Sequence, residues 1–194
     1  MAGGSSNAAA VLVGLNKLWG LNLSELDLQK LGFKLGADVP FCISGKAALA
    51  QGVGEELSFI KGLPKDISIL ICKPEIFVST KDVYEGLDLN NIQNRPDNKK
   101  LLEDLRQENI QSLAKNMVNV LESVTSIHYR EIKEIEKVMM ENGALGSMMS
   151  GSGPTVFGLY KNREDALKSE KELLKNYKQV YVVNSSEKGV EVIG

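Results

Sequence analysis

The 194 residues hold a single histidine, His128, two cysteines, Cys42 and Cys72, and a formal net charge of only −2. One histidine cannot build a histidine-based metal site. Each cysteine sits in an apolar run, which reads as two buried free thiols rather than a disulfide or a metal pair. A near-neutral charge leaves no electrostatic footprint for nucleic acid or for an anionic membrane. No apolar run approaches the ~20 residues needed to cross a bilayer. The short stretch Ala8–Val13 is followed by Asn16 and Lys17 and lacks a basic lead-in, so it does not read as a targeting signal. A cytoplasmic protein with no membrane and no nucleic-acid partner is the expectation. Internal repeats and low-complexity tracts are also missing.

What is present suits a globular protein: 43% hydrophobic and 25% charged residues support a core without covalent staples. The length allows one large domain or two small ones. Residues 5–19 predict a helix that is apolar on nearly every face and therefore buried, with Trp19 in the core. "LSELDLQKLGFKLG" predicts a second helix with Ser24 and Asp27 at capping-box spacing. "GADVPFCIS" predicts a turn into a short helix at Pro40, and "KAALAQGVGEELSFI" predicts a hairpin around Gly52 and Gly54. "GLPKD" is the predicted domain boundary. Beyond it come a buried strand, "ISILICKP", and a helix capped by Ser79 or Thr80. A polar loop, "NNIQNRPDN", leads to helices over 99–107, 110–121 and 129–141. Strands flank "SGSGPT", and a charged amphipathic helix, "REDALKSEKELLKNY", precedes a last strand, "QVYVVN". This order predicts an α+β sandwich with helices on one face of an antiparallel sheet, over residues 65–194. Residues 1–64 form a helix-rich first domain that looks incomplete. His128 reads as a surface residue, and Met139, Met140, Met148 and Met149 as core or strand filling.

Three stretches carry chemical possibilities. "AGGSSNAAA" reads either as a glycine turn with a serine cap or as an anion cradle. In the second case Gly3 and Gly4 admit a close ligand and the following helix supplies its N–H groups. It has neither the Walker nor the Rossmann spacing. In "LGADVPF", Asp38 either caps the short helix or stands as a carboxylate able to accept a proton from an alcohol. "SGSGPT" is a tight turn or a second backbone approach to phosphate.

Taken together, "AGGSSNAAAVLVGLN", "LGADVPF", "ALAQGVGEEL", "VSTKDVY" and "GALGSMMSGSGPTVFGLY" resemble the GHMP kinases. Within them the chain is most similar to the 4-diphosphocytidyl-2-C-methyl-D-erythritol kinases of non-mevalonate isoprenoid synthesis. The resemblance implies a two-domain α+β GHMP kinase-like fold with a truncated N-terminal domain and a ferredoxin-like C-terminal sandwich. It implies ATP and Mg²⁺ as cofactors and a small cytidine-diphosphate-linked alcohol as substrate, in a monomer or homodimer. Gly3, Gly4, Ser5, Ser6 and Asn7 match the phosphate loop, Asp38 the catalytic aspartate, and Gly151, Ser152, Gly153 and Pro154 the third motif. Ser5 or Ser6 is the suggested magnesium contact. The resemblance further implies a preceding segment bearing a lysine partner for the aspartate, and an impaired activity for this chain alone. Two alternatives stay open. One is another GHMP kinase acting on a different small molecule. The other is a non-catalytic fragment with at most weak nucleotide binding.

Overall fold

The computed structural model describes residues 2–54, 56–92 and 94–193. Glu55 in the predicted hairpin and Gln93 in the predicted polar loop lie outside the described residues. The chain divides into two compact units, one of residues up to 62 with the C-terminal segment from 186, the other of residues 63–185. That segment, assigned from sequence to the second domain, thus packs in the first unit.

The first unit holds α1 (Gly3–Leu18), α2 (Glu25–Phe33), α3 (Val39–Ser44) and a hairpin of β1 (Ala48–Gln51) and β2 (Glu56–Phe59). Helix α2 begins with the capping box expected from sequence: the Asp27 amide donates to Ser24 Oγ, and the Ser24 amide donates to the Asp27 carboxylate. Its core is Ala9, Leu28, Val39 and Ile43, with Val190 packed on it. Gly32 lets α2 and α3 approach, since a Cβ there would stand 2.8 Å from Val39 Cγ1. Gly45, with φ +63°, ends α3 beside Gly189 of the returning C-terminal segment.

One expectation fails in this unit. Helix α1 is not buried: Ala9 is its only buried residue, and Val11 and Leu18 are exposed. Trp19, expected in the core, is 64% exposed. The physical reason is that α1 meets α2 and α3 along one side, whereas its apolar residues run all round.

The second unit is built on an antiparallel sheet of β3 (Ser68–Lys73), β4 (Gly146–Met149), β5 (Val156–Tyr160) and β6 (Gln179–Asn184), in the order β4-β5-β3-β6. Its helices are α4 (Thr80–Glu85), α5 (Asn98–Arg106), α6 (Ile110–Asn116), α7 (Glu122–His128), α8 (Glu131–Glu141) and α9 (Arg163–Leu173). Strand β3 alternates: Leu70 and Cys72 enter one core cluster and Ile69 packs against another. Helix α8 presents Ile132, Ile135 and Met139, and α9 presents Ala166, Ser169 and Leu173, at helical spacing to the first of these faces. Tyr160 is fully buried, and its hydroxyl bonds Ser169 Oγ at 2.8 Å. The opposite face is not bare, as predicted, but carries Ile110, Leu113 and Ala114 of α6 packed with Leu159. Cys42 and Cys72 are free thiols, and burial pushes Cys72 up to about 12. Met139 and Met149 are core residues, whereas Met140 is 48% exposed.

Candidate active site

In the first unit the predicted helix begins two residues early, so that the two glycines read as a turn are helical. Gly3, Gly4, Ser5, Ser6 and Asn7 form the first two turns of α1, which opens at Ala2 with φ +35° and without any side-chain cap. The Ser6 amide donates to the Ala2 carbonyl at 2.9 Å, so the helix ladder starts there. The amides of residues 3–5 lie ahead of that bond and have no intrahelical acceptor. They sit at the positive end of the helix dipole, with no acidic residue in the first turn to occupy them. The serines are not caps, which removes the serine-cap interpretation of this stretch. A Cβ at Gly3 or Gly4 would meet nothing within 4 Å, so the backbone there is open to approach.

Asp38 is the N-cap residue of α3, at φ −84° and ψ −9°, and its side chain makes no capping hydrogen bond. The carboxylate is exposed and uncommitted to the helix it precedes. The Cys42 amide donates to the Asp38 carbonyl at 3.2 Å. On that same turn Cys42 Sγ accepts from Ser6 Oγ at 3.6 Å. The fold therefore puts Asp38 and residues 3–7 on two helices of one unit that touch at Ser6 and Cys42. Lys34, the nearest lysine before Asp38, is exposed after α2.

Gly151, Ser152 and Gly153 lie in the second unit, in the turn between β4 and β5. The Ser150 amide donates to Thr155 O at 2.8 Å, and the Gly153 amide donates to Ser150 O at 3.0 Å. With φ +57° at Gly151 and no positive φ at Ser152, this is a type II′ pattern, which favours glycine at its first central position. Gly153 is held at φ +89°, and a Cβ there would stand 2.6 Å from Met149 Sδ. Three side chains from outside the turn fix it. Asn119 Nδ2 donates to Met149 O and to Gly151 O, each at 2.8 Å. Thr125 Oγ1 donates to Ser152 O at 3.2 Å, and Thr80 Oγ1 meets Ser152 Oγ at 3.0 Å.

Sequence reasoning missed Asn119 and Thr125, because it drew one helix across 110–121 and none over 122–128. The signal was there. Asn116 and Asn119 stand three residues apart in an otherwise helical stretch, and such side chains compete with the helix ladder. Asn116 Nδ2 donates to Ser112 O at 2.7 Å, Met117 turns extended, and Asn119 Oδ1 accepts from the Leu121 amide at 3.1 Å.

A second missed constellation borders a cavity of about 820 Å³ in this unit, lined among others by Glu122, His128, Lys133 and Glu136. His128 is the exposed last residue of α7. Lys133 Nζ bonds both Glu122 and Glu136. Burial opposes the Lys133 charge, but these two carboxylates outweigh it and hold the lysine above its ordinary pKa. Burial, with the Glu122 charge added, lifts Glu136 to about 7 against the pull of Lys133. Glu122 also accepts the Met149 amide at 3.0 Å, next to the glycine turn.

No group of three acidic, cysteine or histidine side chains able to hold a metal occurs among the described residues. No helix among the described residues is long and apolar enough to cross a membrane.

Family models fall on both units. The GHMP kinases N terminal domain matches residues 1–46, and GHMP kinases C terminal matches residues 101–179. The chain belongs to the GHMP kinase family. Among similar relatives of this GHMP kinase chain, the 4-diphosphocytidyl-2-C-methyl-D-erythritol kinase of Clostridioides difficile (strain 630) is 69% identical over 194 residues, all of this chain and 66% of the relative. The protein of that name from Alkaliphilus oremlandii (strain OhILAs) is 52% identical over 99% of this chain and 66% of its own. The GHMP kinase chain thus spans just under two thirds of the length of the curated relatives it matches. Its coordinates superpose on a crystal structure of 4-(cytidine 5'-diphospho)-2C-methyl-D-erythritol kinase with a TM-score of 0.77 and 31% identity, over 93% of this chain and 64% of that one. A homoserine kinase from Cytophaga hutchinsonii shares the fold at a TM-score of 0.78 and 22% identity, covering 92% of this chain and 64% of its own.

Proposed function

We propose that this chain carries the phosphate-binding and acceptor-activating part of a cytoplasmic 4-diphosphocytidyl-2-C-methyl-D-erythritol kinase, acting as a monomer or homodimer. The observation that carries the proposal is that an uncommitted carboxylate, Asp38, and the unpaired amides at the start of α1 belong to two helices of one unit that touch at Ser6 and Cys42. Phosphoryl transfer asks a protein for positioning and charge stabilisation rather than covalent chemistry. The amides of residues 3–5 and the hydroxyls of Ser5 and Ser6 would hold the phosphate oxygens of ATP, with Asn7 behind them. Asp38 would orient the acceptor hydroxyl and take its proton as the oxygen attacks the γ-phosphorus. Gly151, Ser152 and Gly153 would form a phosphate-binding turn of the second unit in its own right. Magnesium, when bound, neutralises phosphate charge, with Ser5 or Ser6 and the phosphates themselves as its ligands.

A second proposal, a nucleotide-binding fragment without turnover, is favoured by two features: α1 leaves Val11 and Leu18 exposed, and no lysine or arginine occurs in its first two turns. A coupled assay of ADP release with the cytidine-diphosphate-linked methylerythritol separates the two. Turnover abolished by Asp38→Asn supports the kinase. A thermal shift with MgATP but no turnover supports the fragment, and neither response refutes both.

A further inference from the structure

The turn between β4 and β5 has an asymmetry that hydrogen-bond accounting exposes. The turn's carbonyls at residues 149–152 are occupied: Met149 O and Gly151 O by Asn119 Nδ2, Ser150 O by the Gly153 amide, and Ser152 O by Thr125 Oγ1, whose one proton Leu121 O shares at 3.3 Å. Its two central amides are not, since neither Gly151 N–H nor Ser152 N–H has an acceptor among the described residues. A free tight turn presents both signs to solvent. This one has its acceptors capped by side chains from 119 and 125 and keeps its donors, so it is a small concentration of positive partial charge built without a basic residue. The clamp is rigid in its own right: the Asn119 amide group is held at both ends, Nδ2 by two carbonyls and Oδ1 by the Leu121 amide. The Gly151 side of the turn is open, since a Cβ there would meet nothing within 4 Å.

We infer that Asn119, assisted by Thr125, is a positioning residue that turns the backbone of residues 150–152 into a donor face for a phosphate-bearing ligand. Asn119 touches no ligand itself. It acts by removing the competing acceptors, whose negative ends would repel phosphoryl oxygens, and by fixing the direction of the Gly151 and Ser152 amides. The proposal rests on the kinase reading in supposing that phosphates visit this turn. The shared chemistry, a di- or triphosphate, belongs to two possible sources: the nucleotide that donates the phosphoryl group and the cytidine diphosphate end of the acceptor.

The test is a titration of the ¹⁵N-labelled full chain, followed at each amide, with MgATP in one arm and cytidine diphosphate in the other. The expected result is a saturable shift at Gly151 and Ser152 in at least one arm, which also identifies the source. In Asn119→Ala that affinity falls by about tenfold or more, while the titration of residues 3–7 changes by less than about twofold. Thr125→Val, which removes the hydroxyl at nearly constant shape, gives a smaller loss in the same direction, and Thr125→Ser restores it. If Asn119→Ala does not fold, the Thr125 pair carries the test. Shifts at residues 3–7 without shifts at 151 and 152 overturn the inference and leave the kinase reading standing. Shifts at 151 and 152 alone do the reverse. Absence of both, or an undiminished response in Asn119→Ala, overturns the inference outright.

Discussion

Glu136 offers a sharp physical test of the second unit, because a carboxylate is held there against its preference. Its side chain is 13% exposed, Oε2 accepts from Lys133 at 2.9 Å, and Oε1 has no partner. Burial and the nearby Glu122 charge raise its pKa from 4.5 to about 7, even with the lysine pulling the other way. A raised pKa means that the folded chain keeps a proton the unfolded chain has lost. The contribution to stability is fully present below pH 4.5 and disappears as pH rises through about 7. At ~1.4 kcal/mol per pH unit the full span amounts to about 3 kcal/mol. Water at the cavity edge screens part of it, and about 2 kcal/mol is the better expectation. Glu136→Gln fixes the neutral form, retains an oxygen for Lys133 and places a donor where Oε1 stands alone. Urea unfolding at pH 4 and pH 8 reads the effect. The variant should match the parent at pH 4 and exceed it by about 2 kcal/mol at pH 8. A difference independent of pH, or a variant less stable than the parent at pH 8, would falsify the account of a strained carboxylate.

Three further outcomes are expected. If Asp38 accepts the acceptor proton, Asp38→Asn lowers turnover by a factor of about 10²–10⁴ and leaves the MgATP thermal shift intact; equal turnover would remove the residue from the chemistry. Gly32→Ala places a methyl 2.8 Å from the fully buried Val39 and 3.1 Å from Ile43. The resulting overpacking of about 1–3 kcal/mol exceeds the ~1 kcal/mol of helix propensity gained, so the denaturation midpoint falls. Cys72, buried with its thiol pushed up to about 12, stays inert toward a thiol-specific disulfide reagent in the native chain. One thiol, the half-buried Cys42, then titrates before denaturation and two after it.

The parts of the fold legible in the sequence are those fixed by short-range chemistry. The Ser24–Asp27 box, the Ser79 cap that accepts from the Asp82 amide at 3.3 Å, the hairpin at Gly52–Gly54 and the alternation of β3 all express themselves within a few residues. What escaped depends on distant partners. Sequence gives α1 a full apolar girdle, and only the assembled unit shows that one side finds cover. The helices over 98–116 look like additions to one face of the sheet until Leu159 and Ile69, on the face opposite Leu70 and Cys72, prove to pack with them. The same holds within the candidate site. Gly3–Asn7 and Asp38 of the first unit, and separately Gly151–Gly153 of the second, were visible as motifs. The clamp from 119 and 125 was not: Asn116 and Asn119 mark a break in the helix, but nothing local says that Asn119 bonds carbonyls 30 and 32 residues away.

The glycines at the start of α1 bring these strands of argument together. Two adjacent glycines cost a helix roughly 1 kcal/mol each against alanine, which is why the sequence reads as a loop there. The structure nonetheless runs the helix through them. Neither Gly3 nor Gly4 adopts a positive φ, and a Cβ at either would find open space. Backbone conformation therefore does not require glycine at these positions, and neither does packing. What a missing side chain still provides is close approach by something outside the chain to the unpaired amides of the first turn. Gly4→Ala should then separate folding from binding. It should stabilise the chain by up to about 1 kcal/mol in urea unfolding, with the gain smaller if the helix end frays. The same variant should weaken MgATP binding in calorimetry by about tenfold, because the new methyl stands over the amides. A chain that gains stability and binds MgATP as tightly as the parent would show that phosphate does not sit on these amides, and the assignment of residues 3–7 would have to be abandoned.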